Sequence, residues 1–264
     1  MKKRYIGIFD SGLGGLTTVS EVLRQLPEEN IVFIADTANM PYGPKSRKQI
    51  VSCSLNCVEI LNQYDLKALV IACNTSDAAV SDKLRQISRI PVFGVIEPAA
   101  KKAAELTRNK KIGVIATVST VRSGHYPKAL QSYDGDIETF CVACPKLTPL
   151  IENGAFIHDR ESLKTALKSY LSRFDTADID TLILGCTHYD ILSDMVREMR
   201  PDLKLVSSSR QVVADLKKYL VENKEEEKEK EAETVFLSTS DPERINRSAS
   251  YLIENALFKE KTLE

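Results

Sequence analysis

The sequence predicts two α/β lobes, each a mainly parallel sheet flanked by helices, facing each other across a cleft. Three observations carry that expectation. Short apolar, β-branched runs alternate with segments whose apolar residues recur three and four apart. This is the pattern of strands buried on both faces and of the helices that cover them. The chain also weakly repeats itself. Ile6-Gly7-Ile8-Phe9-Asp10-Ser11 matches Ile112-Gly113-Val114-Ile115-Ala116-Thr117, and Val70-Ile71-Ala72-Cys73-Asn74-Thr75 matches Ile183-Leu184-Gly185-Cys186-Thr187-His188, with Asp77 falling on Asp190. Finally, 264 residues with 43% hydrophobic and 28% charged side chains suffice for two small domains with ordinary polar surfaces.

Taken in order, strands are expected at 5–9, 31–35, 68–72, 92–95, 112–116, 137–141, 181–184, 204–206 and 235–237. Helical periodicity marks 17–26, 47–63, 77–87, 162–174 and 212–220. The Glu- and Lys-rich stretch 222–233 reads as a solvated helix end or loop with no chemistry.

Composition excludes several classes. Lys and Arg total 36 against 37 Asp and Glu, a net charge of −1, so no general attraction to nucleic acid or to an anionic membrane is expected. No apolar run approaches the roughly 18 residues needed to span a bilayer. Asp10 interrupts the first apolar stretch too early for a secretory signal. A cytoplasmic protein with reduced cysteines follows as the expectation.

Two cysteines stand out. Cys73 and Cys186 each end a buried run ahead of an expected helix, at the carboxyl edge where ligands bind in open α/β sheets. Helix-start N–H groups there bind carboxylates and pull a thiol's pKa down. A buried, inert cysteine is the plain alternative for either position, but matching contexts favour a paired role. Asp10-Ser11-Gly12-Leu13-Gly14-Gly15 lacks the spacing of a dinucleotide fingerprint. Its glycines permit close backbone approach, and Asp10 fits either a ligand ammonium group or a base assisting a thiol. Cys141-x-x-Cys144 has one pair's spacing for metal or redox exchange but no second pair, so packing is the favoured reading and no metal site is assigned. Cys53 and Cys57 read as core, and His125 and His158 form no constellation. Pro41-Tyr42-Gly43, Thr117, Thr120 and Glu152 are weak signals taken singly.

Taken together they are not weak. Asp10-Ser11-Gly12-x-Gly14-Gly15, Pro41-Tyr42-Gly43, Ala72-Cys73-Asn74-Thr75, Val95-Ile96-Glu97-Pro98, the T-x-x-T of Thr117 and Thr120, and Leu184-Gly185-Cys186-Thr187-His188-Tyr189 occur in this order. The set resembles the bacterial glutamate racemases, a branch of the aspartate/glutamate racemase superfamily, from about residue 5 to about residue 258. The resemblance implies pseudo-symmetric flavodoxin-like lobes, one at 1–97 plus 207–264 and the other at 98–206. It also implies a homodimer and cofactor-independent interconversion of L- and D-glutamate for peptidoglycan. By the same resemblance, Asp10 assists Cys73, while Glu152 and His188 assist Cys186. Ser11, Tyr42, Gly43, Asn74, Thr75, Thr117, Thr120 and Thr187 would hold the substrate together with Asp10 and His188. Ser76, Lys146, Asp190 and Ser207 depart from the family pattern without removing a catalytic group. Three alternatives stand beside this reading: another amino-acid racemase of the superfamily, a Cys186–His188 acyl-transfer enzyme that would leave Cys73 idle, and a binding protein on the same lobes.

Overall fold

A computed structural model describes residues 3–226, 232–240 and 259–262. Ten strands alternate with helices: β1 (Tyr5–Asp10), β2 (Asn30–Ala35), β3 (Leu66–Ile71), β4 (Val92–Gly94), β5 (Lys111–Ala116), β6 (Glu138–Ala143), β7 (Thr181–Gly185), β8 (Lys204–Ser207), β9 (Thr234–Ser238) and β10 (Lys259–Thr262). They form two sheets, ordered β10-β9-β2-β1-β3-β4 and β6-β5-β7-β8. Every described pairing is parallel.

The internal repeat is real at the level of topology. The order β2-β1-β3-β4 in one sheet is reproduced by β6-β5-β7-β8 in the other, so β1 corresponds to β5 and β3 to β7, as the matched sequences require. In both sheets the chain leaves the first strand toward one neighbour and returns on the other side. The crevice of each sheet therefore opens at the ends of β1/β3 and β5/β7.

Continuous apolar strands bury both faces, and the clusters show it. Ile6, Ile8, Ile31 and Phe33 enter a core shared with Ile112, Val114, Ile183 and Val206 of the second sheet. Phe9, Val32, Ile34 and Ile71 pack on the opposite face of the first sheet, and Ile115, Leu182 and Leu184 on the outer face of the second. Alternate residues thus serve different cores, and a one-residue slip would exchange them.

Local chemistry sets the element ends. Ser46 and Gln49 form a reciprocal capping box on helix Arg47–Leu61. Thr117 caps Val118–Ser123 and Ser207 caps Ser208–Asn223. Two expectations need correction. A tenth strand, Lys259–Thr262, lies at the sheet edge, and its sequence Lys-Glu-Lys-Thr leaves no apolar pattern to read. Cys186 is followed by a 3₁₀ helix, Thr187–Leu192, before helix Ser193–Met199 begins. There Ser193 Oγ donates to the Asp190 carbonyl at 2.7 Å, a local side-chain bond of the kind that competes with regular helix. Of the acidic stretch 222–233, residues 227–231 lie outside the described residues, as does 241–258 of the expected first lobe.

Candidate active site

The loops that follow β1, β2, β3, β5, β6 and β7 converge on one cavity of about 390 Å³. Ser11, Tyr42, Gly43, Cys73, Asn74, Thr75, Thr117, Glu152, Cys186, Thr187 and His188 of the expected residues line it. Asp10 and Thr120 are buried beside it without lining it.

On the first sheet's side, Cys73 is the residue from which helix Asn74–Ile87 starts. Its thiol donates to Ser11 Oγ at 3.3 Å. The expected pull toward neutral pKa does not occur. Burial, reinforced by the Asp10 charge, pushes the Cys73 thiol up to about 12, against hydrogen bonds from Ser11 and Ser76. Low dielectric disfavours the thiolate more than one helix start favours it. Asp10 ends β1, with Oδ2 accepting from Gly12 N at 2.8 Å and Oδ1 from Thr187 Oγ1 at 3.3 Å. Burial raises its pKa to about 6, against the pull of His188 and of the Gly12 and Gly15 N–H groups.

On the second sheet's side, Cys186 Sγ lies 3.7 Å from His188 Nδ1, and His188 Nε2 lies 3.1 Å from Glu152 Oε1. Burial alone would lower the pKa of His188. Hydrogen bonds and charges of Cys186 and Glu152 outweigh it and hold the imidazole well above its ordinary value. That shift favours the protonated ring, and an imidazolium in this position donates from both nitrogens, to the Glu152 carboxylate and toward Cys186 Sγ. Gly14 lets the two sides meet, because a Cβ there would overlap the His188 ring and the Thr187 hydroxyl.

The hydroxyl groups divide between lining and bracing. Thr75, Thr117 and Thr120 form a triangle with sides of 2.9, 3.3 and 3.0 Å. Tyr42 spends its hydroxyl on Asp36 Oδ2 at 2.5 Å. The Asn74 side chain donates to Ser208 Oγ at 3.1 Å and accepts from Tyr126 Oη at 2.6 Å. Tyr42 and Asn74 therefore present backbone and aromatic or aliphatic surface to the cavity rather than free polar tips. Sequence reasoning missed Thr148, Arg122 and the lining role of Cys144. A usable signal for Thr148 existed, since it lies four residues before Glu152 in helix Leu147–Glu152 and so shares its face. Cys141 and Cys144 are both free thiols. Burial pushes them up to about 11 and about 12, for Cys144 with the help of Cys186.

This arrangement places two buried thiols in one chamber, Cys73 bonded to Ser11 and Cys186 beside the His188–Glu152 pair, with further hydroxyl groups around them. A family model described as Asp/Glu/hydantoin racemase matches residues 10–215. The chain is 44% identical over 213 residues to the glutamate racemase of Sulfurihydrogenibium sp., covering 80% of this chain and 81% of that one. A solved glutamate racemase isoform from Bacillus anthracis superposes with a TM-score of 0.94 at 36% identity, covering 100% of this chain and 98% of that one. The structure of glutamate racemase from Francisella tularensis in complex with D-glutamate gives 0.92 at 32% identity, covering 100% and 98%. With three quarters of its length matched, a span that contains both cysteine loops, the chain belongs to the Asp/Glu/hydantoin racemase family.

Proposed function

We propose that this chain interconverts L- and D-glutamate by two-base proton transfer between Cys73 and Cys186. The single observation that carries the reading is that both thiols line one cavity, each from the end of a strand in a different sheet. Inverting a stereocentre needs a base on one face of the α-carbon and an acid on the other, with roles that exchange between directions. Cys73 is poised as the acid, its proton held on Ser11 and its ionisation suppressed by burial and Asp10. Cys186, facing the imidazolium of His188, is poised as the base. By the family's usual stereochemistry, that resting state accepts L-glutamate, whose α-proton goes to Cys186 while Cys73 protonates the opposite face.

The carbanion needs charge stabilisation in a site closed to water. Backbone N–H groups at the start of helix Asn74–Ile87, with the hydroxyls of Ser11, Thr75, Thr117 and Thr187, would receive the substrate carboxylates. Asp10 and His188 would complete the acid–base helpers. No organic cofactor or metal is assigned a step. The reading also takes the lobes as 1–97 plus 207–264 and 98–206, supported by which strands share a sheet. The enzyme would be a cytoplasmic homodimer supplying D-glutamate to peptidoglycan. Among the described residues no helix is long and apolar enough to cross a membrane, and the remainder rests on family membership.

Heavy-water labelling tests the mechanism. Starting from either enantiomer, early product should carry deuterium at the α-carbon while recovered substrate stays nearly unlabelled. Cys73→Ser and Cys186→Ser should each abolish racemisation, because an alcohol is a far weaker acid than a thiol. Extensive label in recovered substrate at low conversion would exclude two bases, and full activity in either serine variant would remove that cysteine.

A further inference from the structure

Each thiol has a hydroxyl partner, and the two partners do not come from equivalent places. Ser11, at the end of β1, accepts from Cys73 at 3.3 Å. Its counterpart in the internal repeat is Thr117, at the end of β5. Thr117 is diverted, its hydroxyl bonded to Thr75 at 2.9 Å and Thr120 at 3.0 Å. The hydroxyl beside Cys186 belongs instead to Thr148, with Oγ1 3.9 Å from Sγ, and Thr148 also lines the cavity.

We propose that Thr148 is the hydroxyl partner through which Cys186 alternates between thiolate and thiol. A hydroxyl has one donor and two acceptor sites and can rotate between them. Toward a Cys186 thiolate it donates. Once Cys186 has taken the α-proton, its S–H donates to Thr148 Oγ1 and the hydroxyl proton turns away. A second acceptor stands ready. Tyr189 Oη commits its own proton to the Cys144 carbonyl at 3.0 Å, and its oxygen interacts with the Thr148 hydroxyl. His188, as an imidazolium, can only donate, so Thr148 is the neighbour able to serve both protonation states. The proton balance is closed: the substrate α-proton stays on sulfur, and the Thr148 proton changes partner without leaving oxygen.

The inference rests on the two-cysteine reading but is measured partly without turnover. Thr148→Val keeps the shape and removes the hydroxyl. Iodoacetamide labelling at neutral pH, read by mass spectrometry at each cysteine, should slow about tenfold at Cys186, the worth of one hydrogen bond to an ionised group, and remain unchanged at Cys73. The value of kcat/KM should fall by a similar factor. It must fall equally in both directions, since enantiomers have an equilibrium constant of one. Thr148→Ala should agree, and Thr148→Ser should restore both readouts. Unaltered Cys186 labelling in the valine and alanine variants, equal slowing at Cys73, or failure of serine to rescue would overturn the role of Thr148. Loss of the two-base reading would show separately, as unmodified protein that does not racemise glutamate or that returns extensive deuterium to recovered substrate at low conversion.

Discussion

Replacing Asp190 by Asn should stabilise the protein at alkaline pH and leave it unchanged in acid. Asp190 sits in the turn that carries Cys186 and His188, and it matches Asp77 in the internal repeat. The match extends to location: Asp77 Oδ2 accepts from Ile96 N, in the first turn of the helix after β4, at 2.7 Å. Asp190 lies against Ser207 and Ser209, at the start of the helix after β8. Both Asp190 oxygens are buried, yet neither accepts a hydrogen bond of standard geometry. Burial raises its pKa from 3.8 to about 6, with Ser207 and Ser209 opposing the rise and Glu21 adding to it. The folded chain therefore holds this proton to higher pH than the unfolded chain does. Stability falls as pH climbs from about 4 to about 6, and the full cost persists above that window. Roughly two units at 1.36 kcal/mol each give about 3 kcal/mol as an upper bound. The amide removes the charge but also weakens contact with the Ser209 N–H, so the net gain should be smaller. Thermal unfolding followed by circular dichroism at pH 4 and pH 8 checks this. The variant should melt several degrees higher at pH 8, at roughly 2–4 °C per kcal/mol, and coincide with the parent at pH 4. An equal difference at both pH values, or a loss at pH 8, would refute the argument from burial.

Further outcomes follow from the site. Glu152→Gln leaves His188 buried without its carboxylate and should lower kcat/KM about 10- to 100-fold, the worth of one charge-assisted hydrogen bond. Because the folded pKa of His188 is raised, its stabilising contribution is complete below about 6.5 and is lost as pH rises through the folded value. Denaturant midpoints of Glu152→Gln and the parent should therefore differ most in acid and converge in alkali, and a gap that widens with pH would contradict this. Gly14→Ala pushes a methyl group into His188 and Thr187. Racemisation should drop at least 100-fold while the circular dichroism spectrum is retained, and near-normal turnover would show that the two sides of the cleft do not meet as described.

Much of this molecule is legible in the sequence because its determinants are local. Nine of the ten described strands are visible as apolar runs, since strands buried on both faces need no partner to reveal them. Cys73 and Cys186 are recognisable because each ends such a run, and a strand end in an open α/β sheet is already a functional address. Strand Lys259–Thr262 escapes the same test, because its sequence contains no apolar run.

What the sequence could not determine depends on groups brought together from distant segments. Motifs place Tyr42 and Asn74 at the site, but only the packed chain commits their polar tips to Asp36, Ser208 and Tyr126. Local reading expects a helix start to lower the Cys73 thiol, whereas burial by both sheets and the nearby Asp10 raise it to about 12. The repeat shows that Asp77 and Asp190 correspond, yet not that each addresses the helix after its sheet's fourth strand. Thr148 lies beside Cys186 because helix Leu147–Glu152 packs against the 3₁₀ helix Thr187–Leu192 that follows it. Strand identity follows from period and apolarity along the chain. Protonation and hydrogen-bond partnership follow from dielectric and distance, which exist only once the two lobes close around the same cavity.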